Sequence, residues 1–196
     1  LGPLFKGGSM INRYLVHLLS GGLDSVTMLY DLQANGCRIH ALLVDYGQPH
    51  VKELEMARYH ADRLGVIHST VKLPNLGGLT EGDWIVPNRN MILLSLAINR
   101  AVLAGADTVT IGCNADDSDA FPDCRPYFIA NMKVTTRGAG LGVEVCAPYL
   151  EKHKWEIGAL ARDLGVDTSK IWTCYKGDAN PCGECPACLK FNDATK

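Results

Sequence analysis

Two short stretches of this sequence carry residues whose types and spacing could do chemistry. The first is Ser20-Gly21-Gly22-Leu23-Asp24-Ser25, which follows a short apolar run and precedes a helical pattern. Its glycines let the backbone approach an anion, while the serine hydroxyls and the N-terminus of the next helix can donate hydrogen bonds to it. The stretch is neither a Walker loop nor a Gly-x-Gly-x-x-Gly turn. It predicts a phosphate cradle, with a capped Gly-rich turn as the alternative.

The second stretch contains four closely spaced cysteines, Cys174, Cys182, Cys185 and Cys188. Four thiolates at this spacing suit tetrahedral zinc without an open coordination position, so the predicted site is structural. An iron-sulfur cluster remains the alternative, because four cysteines also hold such clusters. A redox pair is disfavoured because both Cys-x-x-Cys steps share Cys185. The remaining cysteines lie in or after apolar segments and are expected to act as small hydrophobic residues: Cys37, Cys113, Cys124 and Cys146.

The elements that must position these stretches alternate between strand and helix patterns. Strands are predicted at 14–19, 38–46, 68–73, 108–112 and 144–148, and helices at 26–35, 51–64, 90–104, 126–134 and 154–164. This alternation predicts an α/β fold with a doubly wound, mostly parallel, Rossmann-like sheet, whose ligands bind at the carboxyl ends of the strands. The Gly-rich connection at 74–87 is predicted to be a mobile lid.

Length and charge limit the domain organisation and the partners. The chain has 196 residues, 47% of them hydrophobic, which favours one domain over 10–170 and a small zinc-binding segment over 171–196. Residues 1–9 resemble a tag remnant, with Met10 as the native start. A net charge of -2 favours small-molecule partners over direct nucleic-acid binding. With no apolar run of roughly 18 residues and no export signal, we expect a cytoplasmic protein without a membrane partner.

The loop at 20–25 is similar to the pyrophosphate-binding motif of the adenine nucleotide alpha-hydrolase superfamily, the N-type ATP pyrophosphatases. That resemblance implies activation of a carbonyl or carboxylate as its adenylate, with ATP as the activating substrate and Mg2+ sharing the phosphate charge. It also implies that the phosphates are held by Ser20, Gly21, Gly22, Leu23, Asp24 and Ser25. Asp45 ends the second strand, which lies beside the adenosine in that superfamily. It is a candidate for binding magnesium or ribose, with a turn-forming role as the alternative.

Three further stretches, together with the cysteine cluster, narrow the resemblance. Tyr46-Gly47-Gln48-Pro49-His50, Val86-Pro87-Asn88-Arg89-Asn90 and Pro122-Asp123-Cys124-Arg125 resemble the 7-cyano-7-deazaguanine synthase family of queuosine precursor biosynthesis. The resemblance covers nearly all of 14–189. It implies a ligase that uses ATP and free ammonia to convert 7-carboxy-7-deazaguanine into the nitrile, through an adenylate and an amide. Positioning and charge stabilisation can suffice for such chemistry, so no covalent protein nucleophile is needed.

Residue roles follow from the same resemblance. Catalytic roles are predicted for Asp24, Arg89 and Lys154. Arg89 is a candidate for gripping a phosphate or the substrate carboxylate, with a solvated arginine as the alternative. Lys154 is predicted to stabilise the phosphate leaving group, with an exposed lysine as the alternative. Asp123 is predicted to accept from the guanine-like edge of the base, with Arg125 beside it or paired with it at the surface. The predicted substrate-binding set is Tyr46, Gln48, His50, Arg89, Asn90, Phe121, Asp123 and Arg125.

The sequence departs from the family pattern near the substrate. Pro49 stands where the family usually has Arg, and Asp119, Ala120 and Phe121 stand where it usually has Ser-Gly-Tyr. The connection at 74–87 is also shorter. Two alternatives therefore stay open: a divergent relative that stops at the amide or modifies another carboxylate or macromolecule, and a nucleotide-binding module without turnover. A homodimer also stays open.

Overall fold

Five parallel strands form the centre of the fold. The strands are β1 (Tyr14–Leu18), β2 (Arg38–Asp45), β3 (Ile67–Lys72), β4 (Thr108–Thr110) and β5 (Glu144–Cys146). Their order in the sheet is β3-β2-β1-β4-β5, and every adjacent pair is parallel. Connections run outward in both directions from β1, so the strand order reverses between β1 and β4. The predicted doubly wound sheet is confirmed, and its switch point lies where β1 ends.

The structure is a computed structural model that describes residues 13–48, 50–73, 76, 86–176 and 178–196. The predictions for residues 1–9, Met10, Pro49 and nearly all of the connection at 74–87 lie outside these residues. Within them, the helices are α1 (Leu23–Ala34), α2 (Lys52–Arg63), α3 (Arg89–Ala104), α4 (Pro126–Gly138), α5 (Lys154–Asp163) and α6 (Pro186–Ala194). Short 3-10 turns span Ala115–Asp117, Pro122–Cys124 and Thr168–Lys170. None of the helices described is long and apolar enough to cross a membrane.

Alternate residues of the central strands feed two separate cores. Leu15 of β1 and Leu43 of β2 pack with α1, α2, α5 and α6 on one face of the sheet. Val16 and Leu42 point the other way and pack with α3 and α4. Both faces are therefore covered by helices, which explains why β1 and β2 read as nearly continuous apolar runs.

Two helices differ from the prediction in ways that bear on the site. Helix α1 begins at Leu23, three residues before the predicted start, because extended Gly22 caps it directly. Asp24 and Ser25 consequently belong to the first helical turn. Helix α6 was not predicted, although Pro186 occupies its first turn as proline often does. Only a few apolar residues follow the closely spaced cysteines, so the helical periodicity there is weak.

Candidate active site

The loop at 20–25 joins the end of β1 to the start of α1 and is closed by its own side chains. Ser20 Oγ and Ser25 Oγ lie 3.0 Å apart, and the Gly22 N–H donates to Ser20 Oγ at 3.3 Å. Gly21 has φ +91°, a conformation that glycine adopts without strain. An added Cβ there would lie 2.0 Å from the Glu53 carbonyl oxygen of α2. The predicted cradle is thus a tight loop at the switch point, with a helix N-terminus directed into it.

His17 of β1 holds the first turn of α1 in place by hydrogen bonding. Its Nε2 and the Ser25 carbonyl oxygen lie 2.8 Å apart, and its Nδ1 lies 2.8 Å from Thr110 Oγ1. The carbonyl can only accept, so Nε2 carries the proton and Nδ1 accepts from the hydroxyl. Full burial lowers the pKa of His17 to about 4, and the ring is therefore neutral. His17 therefore has a structural role between β1, β4 and α1.

Lys154, at the start of α5, reaches into the loop at 20–25, which is named the phosphate loop. Its Nζ lies 2.5 Å from Asp24 Oδ2, and the two side chains are only 16% and 15% exposed. Burial alone would lower the pKa of Lys154, but Asp24 and Asp117 raise it above the usual value, so the ammonium stays charged. The alternative of an exposed lysine does not hold. Asp24 Oδ1 is buried and lacks a hydrogen-bond partner within the part of the chain described.

Two aspartates beside Lys154 were missed by the sequence analysis. Asp116 Oδ2 accepts from the Lys154 N–H at 2.7 Å, and its Oδ1 lies 2.7 Å from His153 Nδ1. Asp117 Oδ2 accepts from Asn114 at 2.7 Å, and burial raises the pKa of the Asp117 carboxyl. The only sequence signal was an acidic pair shortly after β4, and such pairs are usually solvated.

The turn after β2 is held by its own polar side chains. Asp45 Oδ1 accepts from the Gly47 N–H at 3.2 Å, which favours the turn-forming alternative for Asp45. Gln48 is buried; its Oε1 accepts from the Tyr46 N–H at 2.8 Å, and its amide donates to the Val44 carbonyl at 3.2 Å. Gln48 therefore shapes the turn that carries Tyr46.

Arg89 begins α3 beside this turn. Its Nη1 donates to the Tyr46 hydroxyl at 3.4 Å, and the residue is half-buried. Burial alone would lower the pKa of Arg89, but Tyr46, Glu53 and Asp123 raise it above the usual value. Asn88 immediately before it has φ 60°, the left-handed region that asparagine tolerates better than most residues. The alternative of a fully solvated arginine does not hold.

Two of the predicted base-binding residues, Asn90 and Asp123, are hydrogen-bonded to each other. Asp123 Oδ2 accepts from the Asn90 N–H at 2.9 Å, and the Asn90 amide donates to the Asp123 carbonyl at 3.1 Å and to Cys124 Sγ at 3.2 Å. Arg125 donates from Nε to the Ser118 carbonyl at 2.9 Å, and among the described contacts it forms no ion pair with Asp123. Phe121 packs against the core under α3 and α4. One oxygen of Asp123 is therefore engaged at the N-terminus of α3.

The four clustered cysteines converge as the sequence predicted. One sulfur from each of Cys174, Cys182, Cys185 and Cys188 lies within 4.8 Å of the others. Zn–S bonds of about 2.3 Å place tetrahedral sulfurs about 3.8 Å apart, so only a small contraction is needed. The Cys182 and Cys185 N–H groups donate to the sulfurs of Cys174 and Cys182, both at 3.3 Å. These donors stabilise thiolates, so the residues present fit a four-coordinate metal.

The segment that carries these cysteines is joined to the phosphate loop. The Trp172 N–H donates to the Gly21 carbonyl at 3.1 Å, and the Trp172 indole donates to the Cys174 carbonyl at 3.1 Å. Lys52 of α2 donates to the Ala179 carbonyl at 2.7 Å. Tyr175 stacks obliquely on the ring of His50, with centroids 6.4 Å apart. A backbone hydrogen bond between Trp172 and Gly21 therefore joins the metal-binding segment to the phosphate loop.

Comparison with known proteins matches the sequence from residue 14 to residue 196. The family model for queuosine biosynthesis protein QueC matches residues 14–83 and 81–196. A 7-cyano-7-deazaguanine synthase of Psychromonas ingrahamii is 37% identical over 206 residues, covering 94% of this chain and 93% of the relative. Another, of Hahella chejuensis, is 38% identical over 214 residues, covering 95% and 93%.

A solved structure shares the fold at much lower identity. The U34-tRNA thiolase NcsA of Methanococcus maripaludis, solved with its 4Fe-4S cluster, aligns with a TM-score of 0.59 and 16% identity. The alignment covers 98% of this chain and 66% of the thiolase. At this identity the likeness supports the fold alone.

Proposed function

Because the chain belongs to the family of queuosine biosynthesis protein QueC, we propose that it is an ATP-dependent ligase that makes 7-cyano-7-deazaguanine from 7-carboxy-7-deazaguanine and ammonia. The observation that carries the proposal is the buried Lys154 ammonium on Asp24, inside the loop at 20–25. A fixed cation at a helix N-terminus suits a polyphosphate, and it would be an unusual feature in a plain turn.

The protein residues supply binding and charge stabilisation in this reaction. The helix N-terminus at Leu23 and the loop before it bind the phosphates of ATP. Arg89 binds an oxyanion, since a guanidinium matches two oxygens in one plane. A carboxylate is a poor electrophile, so its oxygen first attacks the α-phosphate of ATP to form an adenylate, and Lys154 stabilises the negative charge that develops on the departing pyrophosphate.

Ammonia then attacks the activated carbon, AMP leaves, and the amide forms. A second ATP then adenylates the amide oxygen with release of pyrophosphate, and loss of AMP, which carries that oxygen, together with the two N–H protons gives the nitrile. Asn90 and Asp123 lie at the N-terminus of α3 next to Arg89, where they are suited to hold the base. Each step uses an activated oxygen as the leaving group, and none requires a covalent bond to the protein.

Two metals are part of the proposal. Cys174, Cys182, Cys185 and Cys188 would hold zinc, which stabilises the fold of its segment and leaves no open position for catalysis. Asp24 would contribute its unpaired, buried Oδ1 to magnesium, which neutralises phosphate charge when bound. Oxygen donors suit magnesium, and sulfur donors suit zinc.

The remaining proposals concern setting and partners. A chain that uses ATP and whose cysteines form no disulfide fits the cytoplasm. Its partners are the small-molecule substrates, and a homodimer would be recognised by its mass in solution.

A direct assay tests the function. Purified protein is incubated with 7-carboxy-7-deazaguanine, ATP, magnesium and ammonia, and the base is identified by mass spectrometry. Formation of the nitrile with release of AMP supports the proposal. Accumulation of the amide alone would support a divergent relative, and an unchanged ATP level would refute catalysis altogether. The same assay on Lys154→Met tests the role of the buried ammonium, and nitrile formation should be slower than in the unaltered protein. Lys196→Met is the matched control, because the ion pair between Lys196 and Asp193 is exposed.

A further inference from the structure

Glu53 is a buried acidic residue within the site, and none of the roles above involves its side chain. It lies in the first turn of α2, and its side chain is 12% exposed. The Gln48 amide donates to Glu53 Oε1 at 2.9 Å, and His50 Nε2 lies 3.5 Å from Oε2. The carboxyl group is thus held under the turn that follows β2.

The backbone of the same residue supports the phosphate loop. The Glu53 carbonyl oxygen stands where a Cβ on Gly21 would come within 2.0 Å. Glu53 therefore touches the loop through its main chain and the turn after β2 through its side chain. A substitution of Glu53 can therefore affect both the phosphate loop and the turn after β2.

Among the described residues, three titratable groups interact with the Glu53 carboxyl: His50 by contact, and Tyr46 and Arg89 electrostatically. Burial lowers the pKa of His50 to about 4, so its ring is neutral at physiological pH. Burial raises the pKa of Tyr46, so its phenol also stays neutral. Arg89 of α3 is the formally charged neighbour among the described residues that interact with Glu53.

We propose that Glu53 is a positioning residue whose protonation sets the charge that Arg89 presents to an incoming oxyanion. An ionised Glu53 offsets part of the Arg89 charge, whereas a neutral Glu53 leaves it for the ligand. Oxyanion binding and ionisation of Glu53 therefore oppose each other. Binding to the ionised form takes one proton from solvent and converts the carboxylate to the carboxylic acid. The inference rests on the proposed function only for the identity of the oxyanion, which is either the carboxylate of the base or a phosphate of ATP.

The protonation of Glu53 is expected to change near neutral pH. Burial raises the pKa of Glu53 to about 7, although the Gln48 hydrogen bond and Arg89 both lower it in part. The carboxyl is therefore mostly neutral near pH 6 and mostly ionised near pH 8. A bound oxyanion adds a like charge beside it and raises its pKa further. Affinity for the oxyanion should fall as the pH rises through about 7.

Calorimetric titration of ATP and of 7-carboxy-7-deazaguanine, each near pH 6 and pH 8, tests the proposal. Glu53→Gln keeps an oxygen for the Gln48 amide and cannot ionise. Glu55→Gln is the matched control, because it removes an exposed carboxylate from the same helical turn. If the pKa of about 7 rises by one unit when the ligand binds, affinity falls about fivefold between pH 6 and pH 8. We expect this loss for wild type and Glu55→Gln, and its absence for Glu53→Gln, with the ligand that Arg89 binds. The ligand's own titration is common to all three proteins and cancels.

Equal pH dependence in Glu53→Gln and Glu55→Gln for both ligands would overturn the proposal. If Glu53→Gln does not fold, wild type alone decides: binding near pH 7 is measured in buffers of different ionisation enthalpy, and the protons that the ligand itself exchanges, known from its own titration, are subtracted. Proton uptake with either ligand supports the proposal, and its absence with both overturns it. A protein that takes up a proton with ATP but makes no nitrile would refute the proposed function and leave this inference standing.

Discussion

Replacing Gly21 by alanine tests whether the phosphate loop must press against α2. The added Cβ would lie 2.0 Å from the Glu53 carbonyl oxygen and 3.1 Å from the Ala57 nitrogen. Both are backbone atoms of a helix, so no side chain can rotate away to relieve the clash. Either the loop or the first turns of α2 must move.

The cost can be divided into two parts with a matched control. Gly36 has φ +76°, but its added Cβ would meet no atom within 4 Å. Gly36→Ala should therefore cost about 1–2 kcal/mol of unfolding free energy, the penalty of the left-handed region. Gly21→Ala should cost about 1–3 kcal/mol more, which is typical of overpacking in a region that cannot relax.

Denaturant unfolding and nitrile formation measured on both variants separate the two parts. We expect Gly36→Ala to keep the activity of wild type, because its turn lies after α1 and away from the loop. Gly21→Ala should lose at least tenfold in kcat/KM for ATP, a loss of about 1.4 kcal/mol in binding to the transition state. If both variants unfold at the same denaturant concentration and turn over equally fast, the close approach of loop and helix is wrong.

Three further predictions concern charge, metal and pH. Lys154→Met leaves Asp24 buried without its cation and should cost about 3–5 kcal/mol of unfolding free energy, whereas Lys196→Met should cost less than about 1 kcal/mol; similar melting of the two variants contradicts a buried pair. Cys185→Ser should lower the bound zinc, measured by elemental analysis, and the melting temperature together. His17 should destabilise the fold in acid: it is neutral in both states above pH 6.5, and only the unfolded chain binds its proton between pH 6.5 and about 4. The loss over this window is about 3 kcal/mol at 1.36 kcal/mol per pKa unit, and His17→Gln should flatten the pH dependence of chemical unfolding there.

The parts of the site that were predictable are encoded locally. The loop at 20–25 contains glycines and hydroxyls at adjacent positions, and the cysteines cluster within a short stretch, so type and spacing alone indicate an anion site and a metal site. The sheet was predictable for a similar reason, since the central strands β1 and β2 are covered on both faces and are nearly continuous apolar runs. Lys154 and Arg89 followed from resemblance, and the structure added that Lys154 is largely buried and Arg89 half-buried.

The parts that were not predictable depend on contacts between distant segments. Glu53 and Asp117 look like ordinary surface carboxylates in the sequence, and only the packing of α2 and of the turn after β4 buries them. Gln48 belongs to a matched motif, yet the local turn and Glu53 take up its amide. A sequence gives the type of a side chain, whereas its direction is set by the neighbours that fold around it.

The pairing of Asp24 with Lys154 also has a consequence for how the protein is made. The two residues are separated by 130 positions in the chain. At a synthesis rate of about 5–20 residues per second, the lysine leaves the ribosome roughly 7–26 seconds after the aspartate. The strand, loop and helix around Asp24 can form early from local sequence, but the nucleotide pocket gains its buried cation late. Until Lys154 is made, the loop has only its backbone and serine donors for a phosphate, and the apolar core on this face of the sheet also waits for α5 and α6.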